Sequence, residues 1–478
     1  MGNLRTGLRE IFVLTLAIGT ALLPWPSPGA RLLTLQEAIQ LAIENDPETK
    51  NAKRSVHIAQ TKRSQARMRY LPKLDVGLTN SPQVDYFGQP VINKMLWNSF
   101  ISLDQPLYAG GTIRNSVKLA ESEMRRQGFE YTLSRQKISS EATRAYFQTL
   151  STQGAVDQYE ALQKQGEEDV REAETRLQAG LISRLDFLEA TNRLLETQQK
   201  LSRAQADHQV TLGSLRKTLG LEGEEFLRLV DELPIPDITP EFDLLLGEAK
   251  QKRPELLYIS EDVKYNQLRT DIEKGKQRPQ FSLIAAHEWQ SPQVFESNKN
   301  FVILLKASYT WENTTLSYQE SRQQIYPNAY AFPRYPGSPP LQTYYFPVRT
   351  LKYSLFDKSS NKVDLEKARS DEALARDRWR QEQLGLGAEL RGILSQKEES
   401  ASRINLAKRQ ITLAEEVVAI SRNRYRTGLA TLADVLKARA ALAEANINLL
   451  NARRDFAIAL AQLHRLLGRD LLPQESAL

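Results

Sequence analysis

Apolar positions along this chain follow two different periods. No proline occurs between Pro106 and Pro234, nor between Pro347 and Pro473. Proline is expelled from helix interiors, and both spans carry apolar residues at three- and four-residue spacing. In the second, Leu442, Leu449, Phe456, Leu460, Leu463 and Leu467 step by 7, 7, 4, 3 and 4 residues, the seam of a coiled coil. The intervening positions include Arg, Glu, Gln and Asn. Elsewhere the period drops to two. In KLDVGLT, Leu74, Val76 and Leu78 alternate with Asp75, Gly77 and Thr79. WNSFISLDQPLY, from Trp97, behaves similarly, and turn-rich residues separate the two runs.

The pattern occurs twice. Leu107–Gly220 overlies Leu355–Gly468 without a gap. Leu194, Leu201, Leu212, Leu215 and Leu219 fall on Leu442, Leu449, Leu460, Leu463 and Leu467. At a different offset, Pro47–Glu48 meets Pro254–Glu255, and LPKLDV meets RPQFSL around Pro279. Two copies of one plan are therefore expected, residues 31–240 and 241–478. Copy two carries an insertion between residues 279 and 355, centred on about 290–343, that includes FVILLKASYTW. It reads equally as an extra hairpin or as one long looped excursion.

Segment lengths suggest an architecture. Thr112 to Gly180 would run roughly 100 Å as helix, and residues 182–219 and 34–71 roughly 55 Å each. Two shorter helices thus have the summed length to line one long helix, both antiparallel to it. Gly180 and Gly428 would turn the chain at the far tips, where glycine accepts the left-handed closing conformation. Two strands per copy give four per chain. Four cannot close a barrel, for which about eight is the practical minimum, and open edges are not viable in lipid. Strands that span a membrane would need several chains to share one barrel. The aromatics Trp97, Tyr108, Trp289 and Tyr353 suit an outer-membrane barrel.

Composition narrows the setting. Charged residues make up 26% of the 478 positions, and the net charge of +6 is dispersed among 58 acids. That is a solvated surface, not a nucleic-acid footprint. At the N-terminus, Arg5 and Arg9 precede an apolar run from Ile11 to Leu23, then Pro24, Pro26, Pro28 and small residues. The run, about 13 residues, is short of the roughly 20 a spanning helix needs. Residues 1–30 read as a secretory signal, cleaved after Gly29 or Ala30. The chain has no cysteine, so burial alone must hold an exported protein together. His57, His208, His287 and His464 are scattered, and no metal site is expected. His208 aligns with Phe456 on the seam and reads as a packed side chain. No hydrolase, metalloprotease or phosphate-loop pattern appears, so neither an enzyme nor a cofactor is expected.

This organisation resembles the outer-membrane efflux protein (TolC-like) family. The resemblance rests on the two copies, LTLQEAIQLAIENDPE, the QPLYAGG junction at Gln105–Gly111, and the tips at Gly180–Leu181 and Gly428–Leu429. It implies an α+β membrane protein built as a homotrimer. One twelve-stranded barrel, four strands from each chain, would sit in the outer-membrane lipid above an antiparallel α-helical coiled-coil tunnel in the periplasm. Partners would be an inner-membrane transporter and a periplasmic adaptor, docked at Gly180, Leu181, Gly428 and Leu429, for export of small molecules or proteins. The acidic ring at the entrance falls on Asp434, and residues that tie the tip shut fall on Asp186 and Tyr425. Two positions depart from the family pattern: the second acid, one turn on, is Lys437, and the basic partner on the second tip is Ala430. Asp186 and Asp434 also suit helix N-capping after the turn. The rival reading is a periplasmic adaptor or a structural coiled-coil interaction protein. An adaptor would show one hairpin among Gly-rich β modules, and a plain coiled coil would lack the strands.

Overall fold

Prolines and glycines set most of the element boundaries. The computed structural model describes residues 31–84, 90–222, 227–230, 241–291, 299–311, 314–325, 344–355 and 360–469. Residues 1–30, read above as a secretory signal, and half of the 290–343 insertion lie outside the described residues. Copy one comprises β1 (Arg31–Leu33), α1 (Leu35–Asn45), α2 (Pro47–Met68), β2 (Lys73–Val84), β3 (Pro90–Ala109), α3 (Thr112–Gln178) and α4 (Arg184–Leu219). There follow β4 (Leu227–Leu229), α5 (Phe242–Lys252), α6 (Pro254–Lys276), β5 (Gln280–Ser291), β6 (Lys299–Trp311), β7 (Thr314–Ile325), β8 (Tyr344–Ser354), α7 (Ser360–Arg426) and α8 (Leu432–Leu466).

α3 and α7 each run 67 residues, about 100 Å at the helical rise. The single helix expected over 34–71 is instead two. Pro47 has no N–H to continue α1, and Asp46 takes extended geometry to cap α2, accepting from the Thr49 N–H at 2.6 Å. Copy two breaks at the matching Arg253–Pro254, there with the proline but without a side-chain cap.

α3 pairs with α4 and α7 with α8 as two helical hairpins; α2 lies along α3, and α6 lies against both α3 and α7. α8 also packs on α3, which joins the hairpins. Midway, Leu33, Ile39, Tyr146, Phe147, Leu215 and Leu219 share one core, and the Tyr146 hydroxyl donates to the Leu33 carbonyl at 2.9 Å. Its counterpart in copy two joins Leu245, Leu256, Leu386, Leu390, Leu463 and Leu467. Phe456 lies buried on the seam as expected, but Ala443, Ala445, Ala452, Ala459 and Ala461 are buried beside it. Alanine lets helix axes approach closely, so α8 packs on more than one side.

Six strands, not four, form the main sheet, in the order β2-β3-β5-β6-β7-β8, every pair antiparallel. The insertion supplies a hairpin, β6 and β7, between the two strands that copy two shares with copy one. The sheet has two unlike faces. One carries Leu74, Val76, Leu103, Leu283, Ile303 and Leu305, all exposed. The other mixes Asp75, Asp104, Ser282, Lys306, Ser317 and Gln319 with Phe100, Ile284, Val302 and Leu304. At the QPLYAGG junction, Gly110 (φ 63°) approaches the end of α6 so closely that a Cβ would lie 2.2 Å from the Gly275 carbonyl oxygen. Among the described residues no helix is long and apolar enough to cross a membrane.

Candidate gate and docking tips

The repeated phrase RLQAGLISRLDFLEA / RYRTGLATLADVLKA is one complete turn of chain, made twice. At the first tip the Gly180 N–H donates to the Leu177 carbonyl at 3.0 Å and the Leu181 N–H to the Arg176 carbonyl at 2.9 Å. Gly428 and Leu429 repeat this with Tyr425 and Arg424, at 3.0 and 2.8 Å. Both glycines have φ above +70°. These are Schellman endings, which satisfy carbonyls that the terminating helix leaves free.

The next helix begins at once with a capping box. The Ser183 hydroxyl accepts from the Asp186 N–H at 3.1 Å, and the Asp186 carboxylate accepts from the Ser183 N–H at 3.2 Å. Thr431 and Asp434 do the same at 3.2 and 3.0 Å. The capping role considered for Asp186 and Asp434 is therefore real. The Thr431 backbone N–H, then its hydroxyl, hold the Asp434 carboxyl below the ordinary carboxylate value; Arg424 and Lys437 act in the same sense. Asp434 and Lys437 are both exposed, one turn apart on one face of α8.

Leu181 and Leu429 sit at the turns 73% and 70% exposed. A Cβ added to Gly180 or Gly428 would meet nothing within 4 Å, so the tips are open to an approaching surface.

Within one chain Asp186 is engaged in its capping box, and Tyr425 lies against Arg176 of the first tip. Several groups hold the two tips together. The guanidinium of Arg176 lies 5.1 Å over the Tyr425 ring and pairs with Glu172 at 2.6 Å. Asp169 on α3 forms an ion pair with Arg439 on α8, both largely shielded. Burial pushes the Asp169 carboxyl up, and Arg439 opposes that shift. Lys200 on α4 pairs with Glu444 on α8. Beneath them Ala173, Ala190, Leu432, Val435 and Leu436 form an apolar plug, flanked by Ile182, Phe187 and Tyr425. Asp169 and Arg439 carry no sequence signal, whereas Arg176 does, because the repeat aligns it with Arg424.

His208 is half-buried, its Nδ1 3.2 Å from the Thr152 hydroxyl, and burial lowers its basicity. Among the described residues no cluster of acids and histidines could hold a metal ion.

Long hairpins that end in exposed leucines, joined to an antiparallel sheet with one exposed apolar face, suit a membrane channel with a tunnel. A family model described as "Outer membrane efflux protein" matches residues 38–221 and again 245–469. The chain belongs to the outer membrane efflux protein family. Membership places it in the outer membrane as an efflux channel and disposes of the adaptor reading. Over 204 residues it is 24% identical to the alkaline protease secretion protein AprF of Pseudomonas aeruginosa, a stretch covering 42% of either protein. The fold matches the Campylobacter jejuni CmeC outer membrane channel with a TM-score of 0.70 at 13% identity, covering 91% of this chain and 85% of that one. For Vibrio cholerae VceC the TM-score is 0.66 at 18% identity, covering 91% and 96%. At such identities the likeness is one of fold.

Proposed function

We propose that three copies of this chain assemble into a channel-tunnel, with the sheet in the outer membrane and the hairpin tips deep in the periplasm. An inner-membrane transporter and a periplasmic adaptor complete the export path, and the adaptor's helical hairpin docks at Gly180, Leu181, Gly428 and Leu429. The observation that carries this reading is the pair of Schellman turns at the ends of helices about 100 Å from the sheet. Each presents an exposed leucine beside a glycine, an apolar anchor with room for close helix approach. Asp434 and Lys437 line the narrowest passage, where the tips of three chains converge. Asp169–Arg439 and Arg176–Tyr425 keep each chain's two hairpins together while the passage is shut. Cargo is a small molecule or a secreted protein; the AprF name supports the second.

The test is export by cells in which the native gene is replaced by Gly180→Trp and Gly428→Trp variants. Docking at the tips predicts loss of export with normal amounts of membrane-inserted protein. Unchanged export in both variants would contradict it.

A further inference from the structure

The family resemblance implies four strands per chain, and the structure has six. We infer that three chains close an eighteen-stranded barrel, in which β8 of one copy pairs antiparallel with β2 of the next. The inference rests on the trimeric channel reading above and departs from it in the size and makeup of the barrel.

Three observations carry it. The first is register. Phe281 faces Ala307, Leu283 faces Leu305, and Ala285 faces Ile303, so the apolar face of β5 continues onto β6 without a slip. A one-residue shift would have put Lys306, Ser308 and Thr310 into the lipid-facing row. The second is an aromatic belt at the helix end of the sheet. Tyr108 and Phe281 lie 6.4 Å apart on β3 and β5, and Tyr309, Trp311 and Tyr353 continue the row onto β6 and β8. Aromatic girdles mark membrane interfaces, and the inserted strand carries its share of this one. The third is connectivity. β6 ends at Trp311 and β7 begins at Thr314 at the helix end of the sheet, with two residues between them in the sequence, whereas β7 ends at Ile325 and β8 begins at Tyr344 at the far end, with eighteen residues between them in the sequence. Short periplasmic and long external connections are the habit of membrane barrels.

An even number of strands per copy also keeps every junction antiparallel, including the one between copies. β7 contributes the least apolar lipid face. Its Glu320 pairs with Arg349 of β8 at 3.5 Å and accepts from the Tyr318 hydroxyl at 3.0 Å, so the acid is neutralised in place. Barrel diameter grows roughly linearly with strand number, so the bore is about 1.5 times that of a twelve-stranded barrel, within the porin range that leaves an aqueous channel. Only β2, β3, β5 and β8 continue into helices. The barrel therefore widens while the tunnel below keeps its helix count.

Because the chain has no cysteine, single introduced thiols report cleanly. Ile303→Cys and Leu305→Cys on the apolar face, and Ser308→Cys and Gln319→Cys on the polar face, are treated in outer-membrane vesicles with a membrane-impermeant maleimide. The two polar-face thiols are expected to react and the two apolar-face thiols to resist. Reaction at all four positions would place the hairpin outside the barrel wall and overturn the inference. A second arm separates this from failure of the trimer itself. Val76→Cys combined in turn with Arg349→Cys, Leu351→Cys or Tyr353→Cys should give a covalent trimer for one pairing, since β2 and β8 are the free edges. That crosslink with full labelling at Ile303→Cys leaves the trimer and removes the eighteen strands; its absence in every pairing removes the shared barrel.

Discussion

Asp169 on α3 and Arg439 on α8 are joined as an ion pair just above the tips, with both side chains mostly shielded from water. It is a direct polar bond between the two hairpins of one chain. Pulling the tips apart hydrates both charges; removing one leaves the other poorly solvated.

Arg439→Ala should therefore loosen the tip. Exposed pairs contribute less than 1 kcal/mol and fully buried ones cost several when broken, so about 2 kcal/mol suits this half-shielded pair. That shifts the closed–open balance about thirty-fold toward open. Single-channel recordings in planar bilayers should show longer and more frequent openings than wild type. Asp169→Asn keeps an acceptor facing Arg439 and removes the charge that burial disfavours, so it should not open the tip. Recordings of Arg439→Ala indistinguishable from wild type would mean that the tips are held elsewhere.

Acid should act on Asp169 in the closing direction. Burial raises its carboxyl in the closed tip, whereas the open tip exposes it to water. The closed form then binds the proton more tightly, so closing is favoured as pH falls through the window between the raised value and the ordinary one. Open probability should fall in that window and should lose this component in Asp169→Asn.

Asp434 behaves oppositely. Its carboxyl is held down by the Thr431 N–H and hydroxyl, so its contribution to the start of α8 is complete above the ordinary carboxylate value. It is lost as pH falls through the lowered value. Hydrogen exchange at the first turn of α8 should accelerate on acidification below the ordinary value. Asp434→Asn should flatten that dependence.

Much of this organisation is legible in the sequence, and the exceptions have physical causes. α3 and α7 stand out because proline is absent from both spans and the repeat fixes where each ends. The tips stand out because a Schellman glycine and a capping box need particular residues at fixed spacing, as at Gly180, Ser183 and Asp186. The break at Pro47 is hidden by the surrounding helical periodicity, although a proline that opens α2 fits helix grammar. β6 shows as an apolar run from Phe301 to Leu305 that alternates from Lys306 to Trp311. β7 does not, because Ser317, Gln319, Glu320 and Ser321 make both of its faces polar; the hairpin is half visible. Asp169 and Arg439 are one pairing among 58 acids and 64 bases, which spacing along the chain cannot select. The alanine stripe of α8 escapes a leucine-based seam because its contribution is close approach, not bulk.

The charge pair proposed to line the entrance gives a selectivity prediction. Asp434 and Lys437 are neighbours on one exposed face, and the Lys437 charge helps hold the carboxyl ionised. Three such pairs around a narrow passage should give weak cation preference and weak block by multivalent cations. Lys437→Asp should strengthen both, and Asp434→Asn should abolish what preference remains. Reversal potential under a salt gradient reads this directly. If neither substitution moves it, these side chains cap and cover α8 without lining the passage.

The shared barrel is tested most directly by the mass of the detergent-purified protein, measured by light scattering with the detergent contribution subtracted and with β content followed by circular dichroism. Six strands with two free edges cannot stand alone in lipid. A particle of three chains is expected, its β signal lost together with the trimer on heating. A stable monomer that keeps its full β content would contradict the shared barrel, and with it the channel proposed here.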